Sequence, residues 1–184
     1  MPTPPKTSDE AIVSAARRIL EAEGSHAFSL TDVAAAVGVR TPSLYKRITD
    51  RAELLAALEQ RGFEELGELV QRASHEPDAL RAMARAYRRF AHTSPQLYAR
   101  MLAPDATVSG ASLVWRQQAV APVITALTAQ VGASRALAAA RALTAFLHGW
   151  LTMENTGAFR LGGDLEADFE SALAAVLAGV HGMG

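Results

Sequence analysis

The chain has no cysteine, few aromatic residues and no surplus of charge of either sign. Without cysteine there is no disulfide framework, thiolate zinc site, iron–sulfur cluster or cysteine nucleophile, and the composition fits a reducing compartment. A formal net charge of −1 over 184 residues argues against a polycation that coats nucleic acid or anionic lipid. Any nucleic-acid surface must therefore be local. No uninterrupted apolar run approaches the ~20 residues that span a bilayer. Residues 1–6 lack the basic and apolar regions of a signal peptide. The expectation is a cytoplasmic protein with no membrane partner and a flexible N-terminal arm at 1–7. Catalytic patterns are equally scarce. His26, His75, His92, His148 and His181 are scattered, and neither metal-ligand spacing nor a phosphate-binding glycine loop or nucleophile elbow occurs. Neither an enzyme nor a cofactor is expected.

What is present is the helical period, almost everywhere. Ile12, Ala16, Ile19 and Leu20 share one face of a first helix, opened by the capping pattern at 7–10 and closed by Gly24. Residues 29–32 open a short second helix that Gly38 stops. Thr41 and Pro42 restart the pattern, with threonine as the expected cap. Asp50 and Glu53 cap a longer helix carrying Leu54, Leu55, Leu58, Leu66 and Leu69. After a break at 74–78 come an amphipathic helix ending before Pro95, a short helix over 96–103 and a loop over 104–110. A long helix containing Pro122 follows. The segment 133–155 is apolar on nearly every side and is expected to be the most buried helix. A last helix follows the turn at 157–163. Nothing alternates with period two. The fold reads as all-α with about nine helices: a helix-turn-helix domain at 8–60 and a larger helical domain at 61–184.

Residues 30–47 carry the functional signal. Two short helices flank Val37, Gly38 and Val39, and glycine suits the tight turn between them. Val33, Val37, Val39 and Leu44 can pin the pair, leaving Arg40, Thr41, Ser43, Tyr45, Lys46 and Arg47 available to a groove. Between Val39 and Arg51 four cations face one acid, whereas residues 1–61 as a whole carry eight basic and eight acidic side chains. A small basic corner is what a helix entering a major groove needs. Spacing alone leaves two readings, a DNA-binding corner and a solvated polar turn between bundle helices.

The stretch from Thr31 to Val39, followed by Ser43 to Ile48 and Asp50 to Leu55, resembles the DNA-binding domain of TetR-type transcriptional regulators. Leu44 and Tyr45 match the family's Leu-Tyr pair, while Arg47 and Ile48 stand where histidine and an aromatic or aliphatic residue are usual. Residues 146–150 with 155–159 resemble the Trp-His-Gly type of C-terminal regulatory domain. The resemblance implies a homodimeric repressor that binds palindromic double-stranded operator DNA and is released by a small, mostly hydrophobic effector. It implies phosphate contacts from Tyr45, Arg51 and Thr31. Arg40, Thr41, Ser43 and Lys46 become candidates for reading bases, and Arg47 for a further phosphate contact. Two alternatives stay open, a helical small-molecule-binding protein and a protein-interaction dimer, each with a degenerate helix-turn-helix.

In the C-terminal part, Tyr87, Phe90, Met101, Trp115, Phe146 and Trp150 are core candidates first. The resemblance makes them candidates for an effector cavity as well. A polar seam on helix 133–155 (Arg141, Thr144, His148, Thr152, Asn155) could face solvent, pocket or partner. Thr144 and His148 are the effector-orienting candidates. The family's four-helix dimer interface implies Leu147 and Leu151 with Ala172, Ala175, Val176, Ala178 and Gly179 as contact residues.

Overall fold

The structure, a computed structural model, describes residues 8–103 and 110–182, without the side chains of 110–112. The expected N-terminal arm, most of the 104–110 loop and the last two residues lie outside the described residues. Those described form only helices: α1 (Asp9–Ala27), α2 (Leu30–Ala36), α3 (Thr41–Leu44), α4 (Arg51–Ala73), α5 (Ala79–Thr93), α6 (Pro95–Leu102), α7 (Gly110–Val131), α8 (Ala133–Asn155) and α9 (Leu165–His181). They divide into two compact units. The first ends at Gly62 and takes in the segment that begins at Ser94, and the second holds Phe63–Thr93 and the chain after that segment. α4 thus contributes to both, and α6 belongs with the helix-turn-helix.

In the first unit, α1 packs on α2 and α6, and α2 packs on α3. Ile12, Ala16, Leu20, Val33, Leu44, Leu54, Leu58 and Leu97 are buried there. Ser8 caps α1 by accepting from Ala11 N–H at 3.1 Å. Gly24 does not end α1 as expected. It kinks the helix, with φ 76 and ψ 170, and helical structure resumes as far as Ala27. α6 lies close over α4: a Cβ on Gly62 would come within 2.5 Å of Met101 Sδ and 3.2 Å of Leu97.

The second unit is organised by α5. Leu80, Met83, Ala84, Phe90 and Ala91 bury its apolar face, and Arg88 is buried with them. A buried guanidinium needs partners. Arg88 donates to both oxygens of Glu154 on α8 (2.6 and 3.1 Å) and to Glu166 on α9 (2.5 Å), and lies 4.3 Å from the centre of the Phe169 ring. Arg81 and Arg85 hold Glu170 at 3.0 and 2.6 Å. Glu166 and Glu170, both on α9, are therefore cross-helix ligands for arginines of α5.

α8 departs from expectation. Only Ala136, Ala139, Ala140, Leu143, Leu147 and Leu151 are buried, one stripe at three- and four-residue spacing, while the rest of the helix is mostly exposed. Alanine is apolar and small enough to sit on either side of a helix, so composition overstated the burial of α8 within one chain. The exposed polar seam at Arg141, Thr144, His148, Thr152 and Asn155 marks its outer side.

Burial pushes the Glu154 carboxyl up, but hydrogen bonds with Arg88 and His92 outweigh that and hold it below the usual carboxylate range. A depressed folded-state pKa gives stability that is present above the unfolded value and is lost as pH falls through the folded one. Glu154→Ala should cost about 3 kcal/mol at neutral pH, because it strands a buried charge. It should also flatten the fall in thermal midpoint on acidification below about pH 4, near the unfolded carboxylate value. Melting curves of both proteins across that range check this; parallel acid profiles would show that the ion pair contributes nothing.

Candidate DNA-binding corner and regulatory cavity

The turn between α2 and α3 is built from backbone hydrogen bonds. Gly38 N–H donates to Ala35 O (3.0 Å) and Val39 N–H to Ala34 O (2.9 Å), the pair that closes a helix on a left-handed residue. Gly38 is that residue, at φ 72. The cap of α3 is Arg40 and not Thr41 as expected. Its carbonyl accepts from Ser43 N–H at 2.8 Å and Leu44 N–H at 3.4 Å, and no side chain caps the helix. Asp50 and Glu53 cap α4 as expected, Asp50 Oδ1 accepting from Glu53 N–H at 2.8 Å.

Leu44 is 1% exposed, so among the expected DNA-contacting residues it is an anchor that packs inward. Thr31, Arg40, Ser43, Tyr45 and Lys46 are exposed, Tyr45 to 54%, and Thr41 is half-buried. Arg47 donates to Asp9 on α1 at 2.7 Å. Arg51 donates to the carbonyls of Phe28 (3.1 Å) and Ser25. Two of the four corner cations are therefore engaged within the chain. For Arg40 and Lys46 the described residues hold no ion-pair partner.

The expected effector residues do not form one site. Met101 belongs to the first unit. Phe90 is core, Tyr87 is half-buried, and Thr144 and His148 are exposed. Phe146 and Trp150 join Phe159 and Phe169 in an aromatic cluster with centroid distances of 4.8–6.0 Å. Trp150 Nε1 in that cluster is buried with no hydrogen-bond partner. A separate cavity of about 480 Å³ lies between α4 and α7, and Trp115 is its one expected lining residue. Phe63, Gly67, Ala119 and Pro122 supply apolar walls, with Glu64, Glu68, Gln71, Arg72 and Gln118 adding polar groups. Gly67 allows the two helices to approach there, since its Cβ would meet Ala119 Cα at 3.3 Å. The glycines at 62 and 67 inside an otherwise strong helix were the available sequence signal for these close approaches.

Of the expected dimer residues, Leu147 and Leu151 are 5% and 0% exposed, pointing into their own chain and unable to meet a partner. Ala175, Ala178 and Gly179 are exposed, and Ala172 and Val176 are half-buried. On α8 the outer face instead carries Leu137 (53% exposed) and Met153 (44%). The polar seam at Arg141, Thr144, His148, Thr152 and Asn155 is exposed as well, with Asn155 donating to Ala91 O at 3.2 Å. Among the described residues no helix is long and apolar enough to cross a membrane, and no group of acidic or histidine side chains could hold a metal ion.

Comparison with known proteins follows this division. Residues 12–58 match the family model "Bacterial regulatory proteins, tetR family", and residues 80–176, more than half of the chain, match "Tetracyclin repressor-like, C-terminal domain". A Mycobacterium tuberculosis HTH-type transcriptional regulator is 29% identical over 163 residues, covering 84% of this chain and 73% of its own. A protein of unknown function from Rhodococcus sp. RHA1 superposes with a TM-score of 0.83 at 24% identity, covering 97% and 98% of the two chains. The Streptomyces coelicolor TetR family protein ActR, solved in complex with (S)-DNPA, gives a TM-score of 0.72 at 19% identity, covering 98% and 100%. With both of its parts matched and a short, anchored recognition helix at its basic corner, the chain belongs to the tetR family of bacterial transcriptional regulators.

Proposed function

We propose that the chain is a cytoplasmic repressor that binds a pseudo-palindromic operator as a homodimer and is released by a small, mostly hydrophobic effector. The observation that carries the reading is α3: Leu44 anchors it while Arg40, Ser43, Tyr45 and Lys46 stand exposed on it and on the turn that follows. Arginine and lysine bond guanine O6 and N7 in the major groove, and tyrosine and serine hydroxyls serve phosphates. Dimerisation is supported by the outer faces of α8 and α9, where Leu137, Met153, Ala175, Ala178 and Gly179 leave apolar and small side chains uncovered. Effector binding is supported by the cavity beside Trp115, whose volume falls in the range of small-molecule sites. The complex of ActR with (S)-DNPA supports the same reading. α4 carries both Arg51, next to the recognition helix, and Phe63, Gly67 and Gln71 of the cavity, so one continuous helix joins the DNA-reading and ligand-holding parts.

On promoter DNA flanking its own gene, Lys46→Ala or Arg40→Ala should lower affinity for the cognate duplex more than for a scrambled one, by about 1–3 kcal/mol at the base each reads. Mobility shifts on both duplexes decide the matter; equal losses on the two would remove base readout from this helix.

Ala175→Glu and Ala178→Arg place a charge on the uncovered face of α9, and sedimentation should show monomer where the parent is dimer. Variants that remain dimeric would place the interface elsewhere.

The chain's two tryptophans allow a test of the cavity. A hydrophobic effector should change the emission of the Trp150→Phe variant, which retains Trp115, and leave that of Trp115→Phe unchanged. Operator release should follow the same saturation curve, because coupling between two sites is reciprocal. Emission that responds only through Trp150 would move the effector to the aromatic cluster.

A further inference from the structure

Two sets of charged contacts in the first unit flank the kink of α1 at Gly24. On one side of Gly24, the Glu21 carboxylate accepts from the backbone N–H of Gln96 and of Leu97, at 3.0 Å each. These amides open α6, whose own Ser94 makes no side-chain cap. The Ser94 hydroxyl is buried and accepts from Arg17 at 2.7 Å. A carboxylate of α1 thus caps α6 from outside the helix. On the other side of Gly24, Arg51 donates to the Ser25 and Phe28 carbonyls and lies 5.7 Å from the centre of the Phe28 ring. Arg51 is the first residue of α4, seven positions after the end of α3. Gly24 itself, at φ 76, has the side chain of Gln96 3.3 Å from where a Cβ would stand. Both contacts are charge-assisted, the stronger class of hydrogen bond.

We propose that the stretch from Glu21 to Phe28 is a strap that sets the recognition helix, with Glu21 and Arg51 as positioning residues at its two ends. Glu21 fixes the strap to α6, and Arg51 fixes it to the start of α4 and thereby to α3. The inference rests on operator binding as read above. It also gives Arg51 a role different from the phosphate contact that family resemblance implies. A guanidinium with Nε and one terminal nitrogen committed to two carbonyls acts as a bracket, and lysine at the same place would keep the charge but lose the fork.

The test is a double-mutant cycle on the full chain, read by operator affinity at several salt concentrations. Glu21→Ala and Arg51→Lys should each weaken binding about tenfold, the scale of one charged hydrogen bond. The two residues bond to different partners, so independent effects would multiply. Ends of one strap predict instead a double variant no weaker than the weaker single one. Arg51→Ala should leave the salt slope unchanged. Multiplied losses, wild-type affinity in Arg51→Lys, or a salt slope reduced by about one in Arg51→Ala would each overturn the strap. If Glu21→Ala fails to fold by circular dichroism, Glu21→Gln, which keeps one acceptor, takes its place in the cycle. A DNA-free readout separates failure of the strap from failure of operator binding. In the protein alone, Arg51→Lys should speed hydrogen exchange at the amides of Gln96 and Leu97, which Arg51 does not touch. Unchanged exchange there overturns the strap whatever the protein does with DNA.

Discussion

α3 is four residues long, and a helix of that length has no stability of its own in water. Its place is set by the burial of Leu44, by the left-handed turn at Gly38 and by the Arg40 carbonyl that accepts the first amides of the helix. Everything the chain can do with DNA depends on this anchoring. A side chain that reads a base must arrive with its rotamers and backbone already fixed. Loss of Leu44 would release Arg40, Ser43 and Lys46 together, while loss of any one of those three leaves the helix in place.

The second unit meets a different constraint. Its central helix α5 buries an arginine, and the cost of that charge is offset only because α8 and α9 bring carboxylates to it. Arg88, Glu154 and Glu166 tie three helices to one point, beside the aromatic cluster around Phe169. The outer face of α8 carries exposed Leu137 and Met153, and that of α9 exposed Ala175, Ala178 and Gly179.

The sequence was most legible where one residue type has one job. α8 spans the residues that its pattern indicated, Asp50 and Glu53 cap α4, and Gly38 makes the turn. It misled where a local pattern admits two readings. Gly24 has the positive φ common at a helix end, but with ψ 170 it makes a kink, and the helix resumes after it. Leu147 and Leu151 fit an interface stripe or a core stripe on an alanine-rich helix, and only the position of α5, α7 and α9 around α8 decides for the core. Long-range pairs were invisible. No spacing relates Arg88 to Glu154, Glu21 to Leu97 or Arg51 to Ser25, and these pairs show that α6 joins the DNA-binding unit and that part of the basic corner is spent internally. The lining of the cavity by α4 was hidden for the same reason, and of the expected aromatic residues only Trp115 lies there.

On the proposed reading, the exposed residues of α3 and its following turn read a major groove, one helix from each copy of the chain. Hydroxyl-radical footprinting on the flanking promoter duplex tests it directly. Two protected patches related by a two-fold axis are expected, with centres about 34 Å or a multiple of that apart, and weaker protection at one base step in each patch with Lys46→Ala. A single unsymmetrical patch, or protection unchanged by Lys46→Ala and Arg40→Ala alike, would contradict it.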